Sequence, residues 1–186
     1  LWIGTEAGLA EWRPNENAFV RYHSEDANRS SLINNRVNAI AQDASGVLWV
    51  ATHGGLSTWN YFSDSFHYYS ALNDDLQEDV VTSVGESSNG TLWIGTYGGG
   101  LSSIDPLSGD VQHYRHNKDQ PDSLPDDQVM SLLVDQQDRI WVGMRTGGLA
   151  MMKPSQKTFE RFIHEPTQVD SLSGNAVSSI FVDANG

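Results

Sequence analysis

The chain alternates between short apolar runs and short polar clusters along its whole length. The apolar runs are rich in Val, Ile, Leu, Thr and aromatic residues, whereas Asp, Asn, Ser and Gly fill the clusters between them. Such a pattern predicts strands joined by turns. Apolar positions spaced three and four residues apart do not continue for the roughly ten residues that a helix needs, so paired helices are excluded.

The apolar runs belong to a cassette that repeats around a tryptophan, and this periodicity sets the architecture. We expect the tryptophan rings to pack between neighbouring repeats as scaffold. The tryptophans are Trp2, Trp49, Trp93 and Trp141, separated by 47, 44 and 48 residues. The segments that align upstream of the tryptophans are 31–46, 75–90, 123–138 and 171–186, and those that align downstream are 19–23, 66–70, 111–115 and 159–163.

The second repeat shows most clearly where strands and turns lie. The four predicted strands of a repeat are labelled a, b, c and d in chain order. Gly46 suits a turn with positive φ between strands a and b, and the Gly pair at 54 and 55 suits a tight turn between strands b and c. Each repeat is therefore predicted to be a four-stranded antiparallel meander. In the second repeat the pattern predicts strand a over 37–42, strand b over 47–52, strand c over 56–60 and strand d over 66–69.

Meanders of this length are the blades of β-propellers, so the predicted fold is all-β. We expect the four repeats to form an arc of a larger propeller with about seven blades. Residues 177–182 offer an alternative, because as a strand a they could join the blade that begins at Leu1 and close a four-bladed ring. The chain is expected to form a single propeller segment over 1–186, with repeat units at about 1–30, 31–74, 75–122 and 123–170 and strand a of a further unit at 171–186.

Composition narrows the classes of partner. The 24 acidic residues against 11 basic ones give a formal net charge of −13, which argues against nucleic acid and favours a neutral or cationic ligand. Cysteine is absent, so neither disulfides nor thiolate metal sites are available. No apolar run approaches the roughly 18 residues of a membrane span, and we expect no direct membrane insertion by this segment. Because the chain begins at Leu1 inside a repeat, we expect it to be a fragment of a longer protein.

A family resemblance rests on the constant part of the cassette. The sequence Leu/Val-Trp-Ile/Val-Gly-Thr, followed two residues later by Gly-Leu and preceded by Val-x-x-Ile-x-x-Asp-x-x-Gly, resembles the repeat of two-component regulator propellers. Residues 92–96 and 1–5 match that repeat best, whereas Ala51, Met144 and Asp138 depart from it in single copies. The resemblance extends over essentially the whole chain.

The resemblance implies a role in signalling. Propellers of this family form the extracytoplasmic sensory part of large bacterial membrane proteins, and their ligands are often oligosaccharides. The chain is thus expected in the periplasm, where it would act with other domains of its parent protein, including a cytoplasmic output such as a histidine kinase or a diguanylate cyclase. No kinase or cyclase motif occurs in the chain itself.

The candidate ligand contacts lie at a variable position within the constant cassette. The residue that follows the Thr, or the Met of the fourth copy, changes between repeats, and b to c turns emerge on one face of a propeller, where function usually resides. Neutral drift at exposed turns is the alternative explanation. Arg36 and Gln128, next to the start of strand a, are further candidates. The variable residues are Glu6, His53, Tyr97 and Arg145.

Other polar features have simpler explanations. A short polar residue recurs before strand a, where we expect it to tie the turn through its own backbone. The acidic segments 73–79 and 119–127 could hold calcium but lack the ligand order of an EF-hand, so no cofactor is expected. His113 and His116 are not on a helix face, and neither a cysteine nor a second histidine pair joins them, so the sequence gives little support for a metal site there. The recurring short polar residues are Asn35, Asp79, Asp127 and Asn175.

Three functional hypotheses follow from these features. The first is a sensory ligand-binding module, in which an oligosaccharide or another small polar ligand biases an output domain. The second is an interaction scaffold that contacts protein partners or a second copy of itself. The third, an enzyme, is disfavoured because the sequence shows no convergent acid, base or metal groups, and we assign no catalytic residue.

Overall fold

A computed structural model describes residues 1–73, 76–105, 107–153 and 156–183. The chain divides into two compact units, Leu1–Val84 and Gly85–Gly186. Almost all regular structure in the described residues is β-strand, joined by one short 3-10 helix at Ala71–Asn73. The prediction of an all-β chain is confirmed.

The first unit contains the first two repeats. The opening sheet has three strands in the order β1-β2-β3, and the next has four in the order β4-β5-β6-β7, all antiparallel. The strands predicted for the second repeat are all present, and each bound agrees within one residue. The strands are β1 Trp2–Thr5, β2 Gly8–Arg13, β3 Ala18–Tyr22, β4 Val37–Gln42, β5 Leu48–Thr52, β6 Gly55–Asn60 and β7 Ser65–Tyr69.

The third and fourth repeats each form a four-stranded sheet of the same order. Strand a of the third repeat, β8, begins in the first unit and ends in the second. The remaining strands follow as b, c and d of the third repeat and a to d of the fourth. The strands are β8 Val81–Glu86, β9 Leu92–Thr96, β10 Gly100–Ile104, β11 Val111–Tyr114, β12 Val129–Val134, β13 Ile140–Met144, β14 Leu149–Met152 and β15 Glu160–Phe162.

Residues 177–182 do not form the strand a that the sequence predicts for them. In the repeats that have one, strand a pairs with the strand b that follows it in the chain. Val177 is held by two hydrogen bonds instead: its N donates to Met144 O at 2.9 Å, and its carbonyl oxygen accepts from Ser131 Oγ at 3.1 Å. A β-propensity pattern without a ladder partner is insufficient for a strand, because the backbone groups of a strand must be paired.

Each unit has its own apolar core, built where the strands of one repeat face those of the next. In the first unit the core includes Trp59 and Phe66, with Trp2 packed against it. In the second, Trp93 of the third repeat is buried among residues of the fourth, such as Ile140 and Met152. The expectation that tryptophan rings pack between neighbouring repeats is therefore confirmed for Trp2 and Trp93.

The glycine that begins strand c is required by the closeness of strand d. At Gly55 the backbone has φ of 133°, and a Cβ atom there would clash with the carbonyl oxygen of Tyr69. Gly100 repeats the arrangement with φ of 77° and the carbonyl oxygen of Tyr114. Only glycine combines this φ with such close backbone contact. The predicted b to c turns are thus confirmed in detail.

The indole nitrogens of three tryptophans are held by the a to b turn of their own repeat. A carboxylate or hydroxyl six residues upstream accepts the indole N–H, so the aspartate of the repeat pattern is a structural partner of the tryptophan. This partnership fixes the ring in its packed orientation. The pairs are Trp49 Nε1 to Asp43 Oδ2 at 2.8 Å, Trp93 Nε1 to Ser87 Oγ at 3.1 Å and Trp141 Nε1 to Asp135 Oδ2 at 2.8 Å.

Candidate functional site

The b to c turns hold the variable position in a fixed geometry. Thr52 Oγ1 donates to Gly55 O at 2.8 Å and accepts from Gly54 N at 3.2 Å, so His53 is placed at the tip of a braced turn. Thr5 and Thr96 make the same pair of bonds around the turns that carry Glu6 and Tyr97. The constant threonine is therefore scaffold, and the residue after it is presented by that scaffold.

Met144 replaces this threonine in the fourth repeat, and a different brace takes over. The Asp126 carboxylate accepts hydrogen bonds from Thr146 N at 3.0 Å and from Thr146 Oγ1 at 2.6 Å. Burial acts to raise the pKa of Asp126, but these bonds and one from Gln128 N outweigh it and lower the pKa. The turn that carries Arg145 is thus braced by an ionised carboxylate.

Backbone contacts bring three of the four variable residues to the start of a strand a, and Glu6 reaches one through its side chain. His53 N donates to Arg36 O at 3.1 Å, and Arg145 N donates to Gln128 O at 3.0 Å. Tyr97 forms an isolated β-bridge with Gln128. The six predicted contact residues therefore lie in two groups of three, one in each compact unit.

Glu6, Arg36 and His53 form the group in the first unit. The Arg36 guanidinium lies 3.8 Å from the Glu6 carboxylate, with side chains 55% and 86% exposed, so this ion pair contributes little to stability. Burial and the nearby Arg36 lower the pKa of His53, and Glu6 acts weakly in the opposite direction. At neutral pH the group presents a carboxylate, a guanidinium and a neutral imidazole to solvent.

The titration of His53 should report on this group. In an NMR pH titration we expect its imidazole midpoint below 6.5, because partial burial and the Arg36 charge disfavour the protonated form. Arg36→Ala should raise the midpoint and Glu6→Gln should lower it. Since the folded pKa is depressed, the stabilisation from neutral His53 is present above pH 6.5 and is lost as the pH falls through the folded value. A midpoint at or above 6.5 would contradict the assignment.

Tyr97, Gln128 and Arg145 form the group in the second unit. The Arg145 guanidinium lies over the Tyr97 ring, 5.6 Å from the ring centroid. Arg145 is exposed, whereas Tyr97 and Gln128 are partly buried. An aromatic face, an amide and a cation thus meet at one end of the sheet, which is a combination suited to a polar ligand with some apolar surface.

The recurring short polar residues have a structural role, but with partners other than those predicted. They do not tie their own turn. Instead their side-chain oxygens accept backbone N–H groups at the beginning of the d to a connection, eight to eleven residues upstream, and so close that connection into a loop. The bonds run to Asn35 from Ser24 N, to Asp79 from Ala71 N, to Asp127 from His116 N and to Asn175 from His164 N, all at 2.7 Å.

The segments considered for metal binding are occupied by protein contacts where they are described. Residues 74 and 75 of the first acidic segment lie outside the described residues. In the second segment Asp127 also pairs with Arg115 at 3.0 Å. The Nδ1 atoms of His113 and His116 lie 3.0 and 2.9 Å from Ser102 Oγ and Leu124 O. Within 1–73, 76–105, 107–153 and 156–183, no group of three or more His, Asp or Glu is arranged to hold a metal.

The sequence pattern did not predict a cleft at the other end of the third and fourth repeats. It has a volume of about 460 Å³ and is lined by side chains from both repeats, among them Trp93, Ser103, Tyr114 and Met152. One difference in the sequence is related to the cleft: strand c of the fourth repeat carries Met152 where strand c of the second carries a tryptophan. The difference indicates a cleft only when the packing of the two repeats is known.

Comparison with known proteins identifies the repeats. The sequence model of the two-component regulator propeller matches residues 31–54, 75–98 and 123–146. Each matched segment runs from before strand a to the residue after the variable position. The chain carries two-component regulator propeller repeats. No curated protein matched the chain.

Several solved structures are similar to this regulator propeller chain. Two are extracellular domains of proteins described as hybrid two-component systems from B. thetaiotaomicron. The first has 21% identity and a TM-score of 0.81, over 98% of this chain and 23% of that one. The second has 23% identity and a TM-score of 0.60, over 98% and 29%. Virginiamycin B lyase from Staphylococcus aureus follows with 13% identity and a TM-score of 0.65, over 91% and 53%.

These likenesses show the fold, and the prediction of β-propeller blades is confirmed. The chain spans about a quarter of the length of the two hybrid-system domains that it matches. The presence of a lyase among the neighbours illustrates that the fold by itself does not fix a function. The described residues contain no helix long and apolar enough to cross a membrane.

Proposed function

We propose that the chain is part of an extracytoplasmic sensory propeller of a bacterial membrane signalling protein. It binds a small polar ligand, such as an oligosaccharide, at the b to c turns, and occupancy biases a cytoplasmic output domain of the parent. The regulator propeller repeats support this assignment, as does the likeness to extracellular domains described as parts of hybrid two-component systems. A periplasmic location belongs to the same proposal.

The observation that carries the proposal is the contrast between braced turns and changing side chains. The backbone of each turn is held by hydrogen bonds within its own repeat, yet the residue at its tip is an acid, an imidazole, a phenol or a guanidinium. A rigid support with varied side chains is typical of recognition surfaces. The Tyr97 ring with Arg145 above it offers both stacking and charged hydrogen bonds to such a ligand.

The proposal assigns no catalysis to this face. Glycoside hydrolysis commonly uses a pair of carboxylates, and the six candidate residues include one, Glu6. The Glu6 carboxylate contacts Arg36 and is highly exposed, and no second carboxylate accompanies it among the six candidates. Binding is therefore the chemistry that these side chains support.

An interaction scaffold is the second candidate function. Tyr61 and Phe62, in the c to d turn of the second repeat, are 53% and 103% exposed. Adjacent exposed aromatic residues are typical of protein contacts. On this hypothesis the chain binds a protein partner or a second copy of itself and no small molecule.

A thermal-shift screen against glycan oligosaccharides and their monosaccharides tests the sensor proposal. A ligand present at about one hundred times its dissociation constant adds about 2.7 kcal/mol of apparent stability, so a bound sugar should raise the Tm clearly. We expect one oligosaccharide class to shift the wild-type chain and to leave the Tyr97→Ala, Arg145→Ala double variant unshifted.

A matched control removes the same residue types elsewhere. Tyr61 and Arg29 are exposed. Tyr61 lies in the c to d turn, and Ser30, next to Arg29, accepts a hydrogen bond from Phe66 N near the start of strand d, so both lie away from the b to c turns. The Tyr61→Ala, Arg29→Ala double variant should therefore respond to the sugar like the wild type. If no sugar shifts the folded chain, the sensor proposal fails for this segment, and self-association measured by light scattering, lost on Phe62→Ser, would favour the scaffold.

A further inference from the structure

The cleft between the third and fourth repeats lies at the a to b and c to d turns, away from the candidate ligand face. One wall is formed by the third repeat, and its side chains are in register across three strands. Ser103 pairs with Trp93 on one side and with Gln112 on the other, so all three side chains lie on the same face of the sheet. Ile140 and Met152, also paired, form the facing wall from the fourth repeat.

Ser103 is the feature that distinguishes the cleft from ordinary surface. The residue is 7% exposed, and its hydroxyl has no hydrogen-bond partner among the described residues. Every fully inaccessible side-chain polar atom in those residues has a partner, so the Ser103 hydroxyl retains access through the cleft it lines. A nearly buried hydroxyl without a partner is unusual in folded proteins, and a ligand group would satisfy it.

In the first two repeats a larger side chain fills the corresponding space. Trp59 occupies the position that corresponds to Met152, because each pairs with the first residue of strand b. The Trp59 ring packs 4.7 Å from Tyr22 and 6.3 Å from Trp2, measured between centroids. A large ring in the first unit thus fills what a slender thioether side chain leaves open in the second.

A second difference acts in the same direction. Glu11 occupies the position of Ser103, since each pairs with the tryptophan of strand b. The Glu11 carboxylate accepts hydrogen bonds from Tyr22 OH at 3.1 Å and from Arg13 Nε at 3.0 Å, which closes the wall with a satisfied polar network. In the third repeat Ser103 is too short to form this network, and Tyr114 OH donates to Gln112 Oε1 at 3.2 Å instead.

The charges at the rim indicate the class of ligand. Three carboxylates, those of Asp105, Asp110 and Asp138, line the cleft together with one ammonium group, that of Lys157. Asp138 is held by the N–H and hydroxyl of Ser88, and these bonds lower its pKa and keep it ionised. The aromatic rings of Trp93 and Tyr114 add a surface that attracts cations.

We propose that this cleft is a second binding site, specific for a small organic cation. The ligand carries an ammonium or guanidinium group, which the rim carboxylates and the aromatic wall receive, and a polar group that hydrogen-bonds the Ser103 hydroxyl. The volume of the cleft suits a ligand of amino-acid or monosaccharide size. The site is independent of the sugar face proposed above.

Isothermal titration of the whole chain with matched pairs of probes tests the proposal. Arginine against citrulline and glucosamine against glucose compare a cation with a neutral molecule of nearly the same shape. We expect at least one cation to bind with a Kd of about 1 mM or lower. Its neutral counterpart should have a Kd at least about tenfold higher, because the charged contact is lost. Equal binding of both members of each pair, or binding of neither cation, would overturn the proposal.

Variants locate the binding. Met152→Trp should fill the cleft as Trp59 fills its counterpart and abolish binding. Asp105→Asn with Asp110→Asn removes charge at exposed positions, and the Asn side chain can keep the turn bond that Asp105 accepts from Leu107 N, so this variant should fold and bind about tenfold more weakly. The Tyr97→Ala, Arg145→Ala variant should bind the cation normally. Unchanged binding in the Asp105, Asp110 variant would overturn the site assignment even if Met152→Trp does not fold.

Discussion

Gly100→Ala is expected to lower the free energy of unfolding by about 3 kcal/mol, because it combines a strained backbone with a steric clash. Gly100 has φ of 77°, which costs an L-residue about 1–2 kcal/mol. Its new Cβ atom would also clash with the carbonyl oxygen of Tyr114, the last residue of strand d. Relief requires the b to c turn to move away from strand d, and the turn is braced by Thr96.

Gly109 provides a control with almost the same φ. Its φ is 76°, and a Cβ atom there would meet nothing within 4 Å. Gly109→Ala should therefore cost only the backbone strain, about 1 kcal/mol. Guanidinium unfolding followed by tryptophan fluorescence would measure both variants. If the two substitutions destabilise the chain equally, the close approach of strand d does not explain the glycine.

Asp135→Ala is expected to destabilise the chain by about 3 kcal/mol at neutral pH, because several partly buried donors lose one buried acceptor. The Asp135 carboxylate accepts hydrogen bonds from Trp141 Nε1, from Arg139 Nε and from the backbone N–H groups of residues 137 and 139. Its side chain is 3% exposed. The Arg139 guanidinium would lose its ion-pair partner as well. It lies over the Trp141 ring, 5.2 Å from the ring centroid.

The pH dependence of this effect has a definite sign. Burial acts to raise the pKa of Asp135, but the hydrogen bonds outweigh it and lower the pKa below its ordinary value of 3.8. The stabilisation is thus fully present above pH 3.8 and is lost as the pH falls through the lowered value. The difference between wild type and Asp135→Ala, measured by urea unfolding at a series of pH values, should shrink only in that acidic range.

A serine variant separates the tryptophan contact from the rest of the network. Ser87 in the third repeat accepts the Trp93 indole N–H with a hydroxyl, so Asp135→Ser should lose less stability than Asp135→Ala. Equal losses would mean that the indole bond contributes nothing, and an unchanged stability of Asp135→Ala would refute the role of the carboxylate altogether.

The strands and turns could be predicted from sequence because their causes are local. The run 37–42 became β4 as expected, since β-branched and apolar residues lie between turn-forming ones. Gly46 has the positive φ, 85°, that its place in the a to b turn required. Where the cause was not local the prediction failed, as in 177–182, whose pattern resembles that of β4 but which has no ladder partner.

The candidate site was predictable in position but not in grouping. The variable residue after strand b could be located from the repeat, whereas its neighbours could not, because Arg36 and Glu6 meet only through the packing of two repeats. The partners of Asn35 and Asp127 depend on the path of a loop that the pattern does not encode. The cleft depends on the volumes of side chains from two sheets, such as Met152 and Trp93, and was missed for the same reason.

The polar bonds that define each blade are short-range in sequence, and this affects the order of folding. The indole bond of Trp49 to Asp43 spans six residues, and the Thr52 to Gly55 bond spans three. Closing such short loops costs little chain entropy, so a blade can acquire its turn framework before its neighbours are in place. The contacts between blades are mainly apolar and less directional. A chain of this kind can gain or lose repeats without redesign of each blade, as expected for repeat proteins that fold by nearest-neighbour contacts.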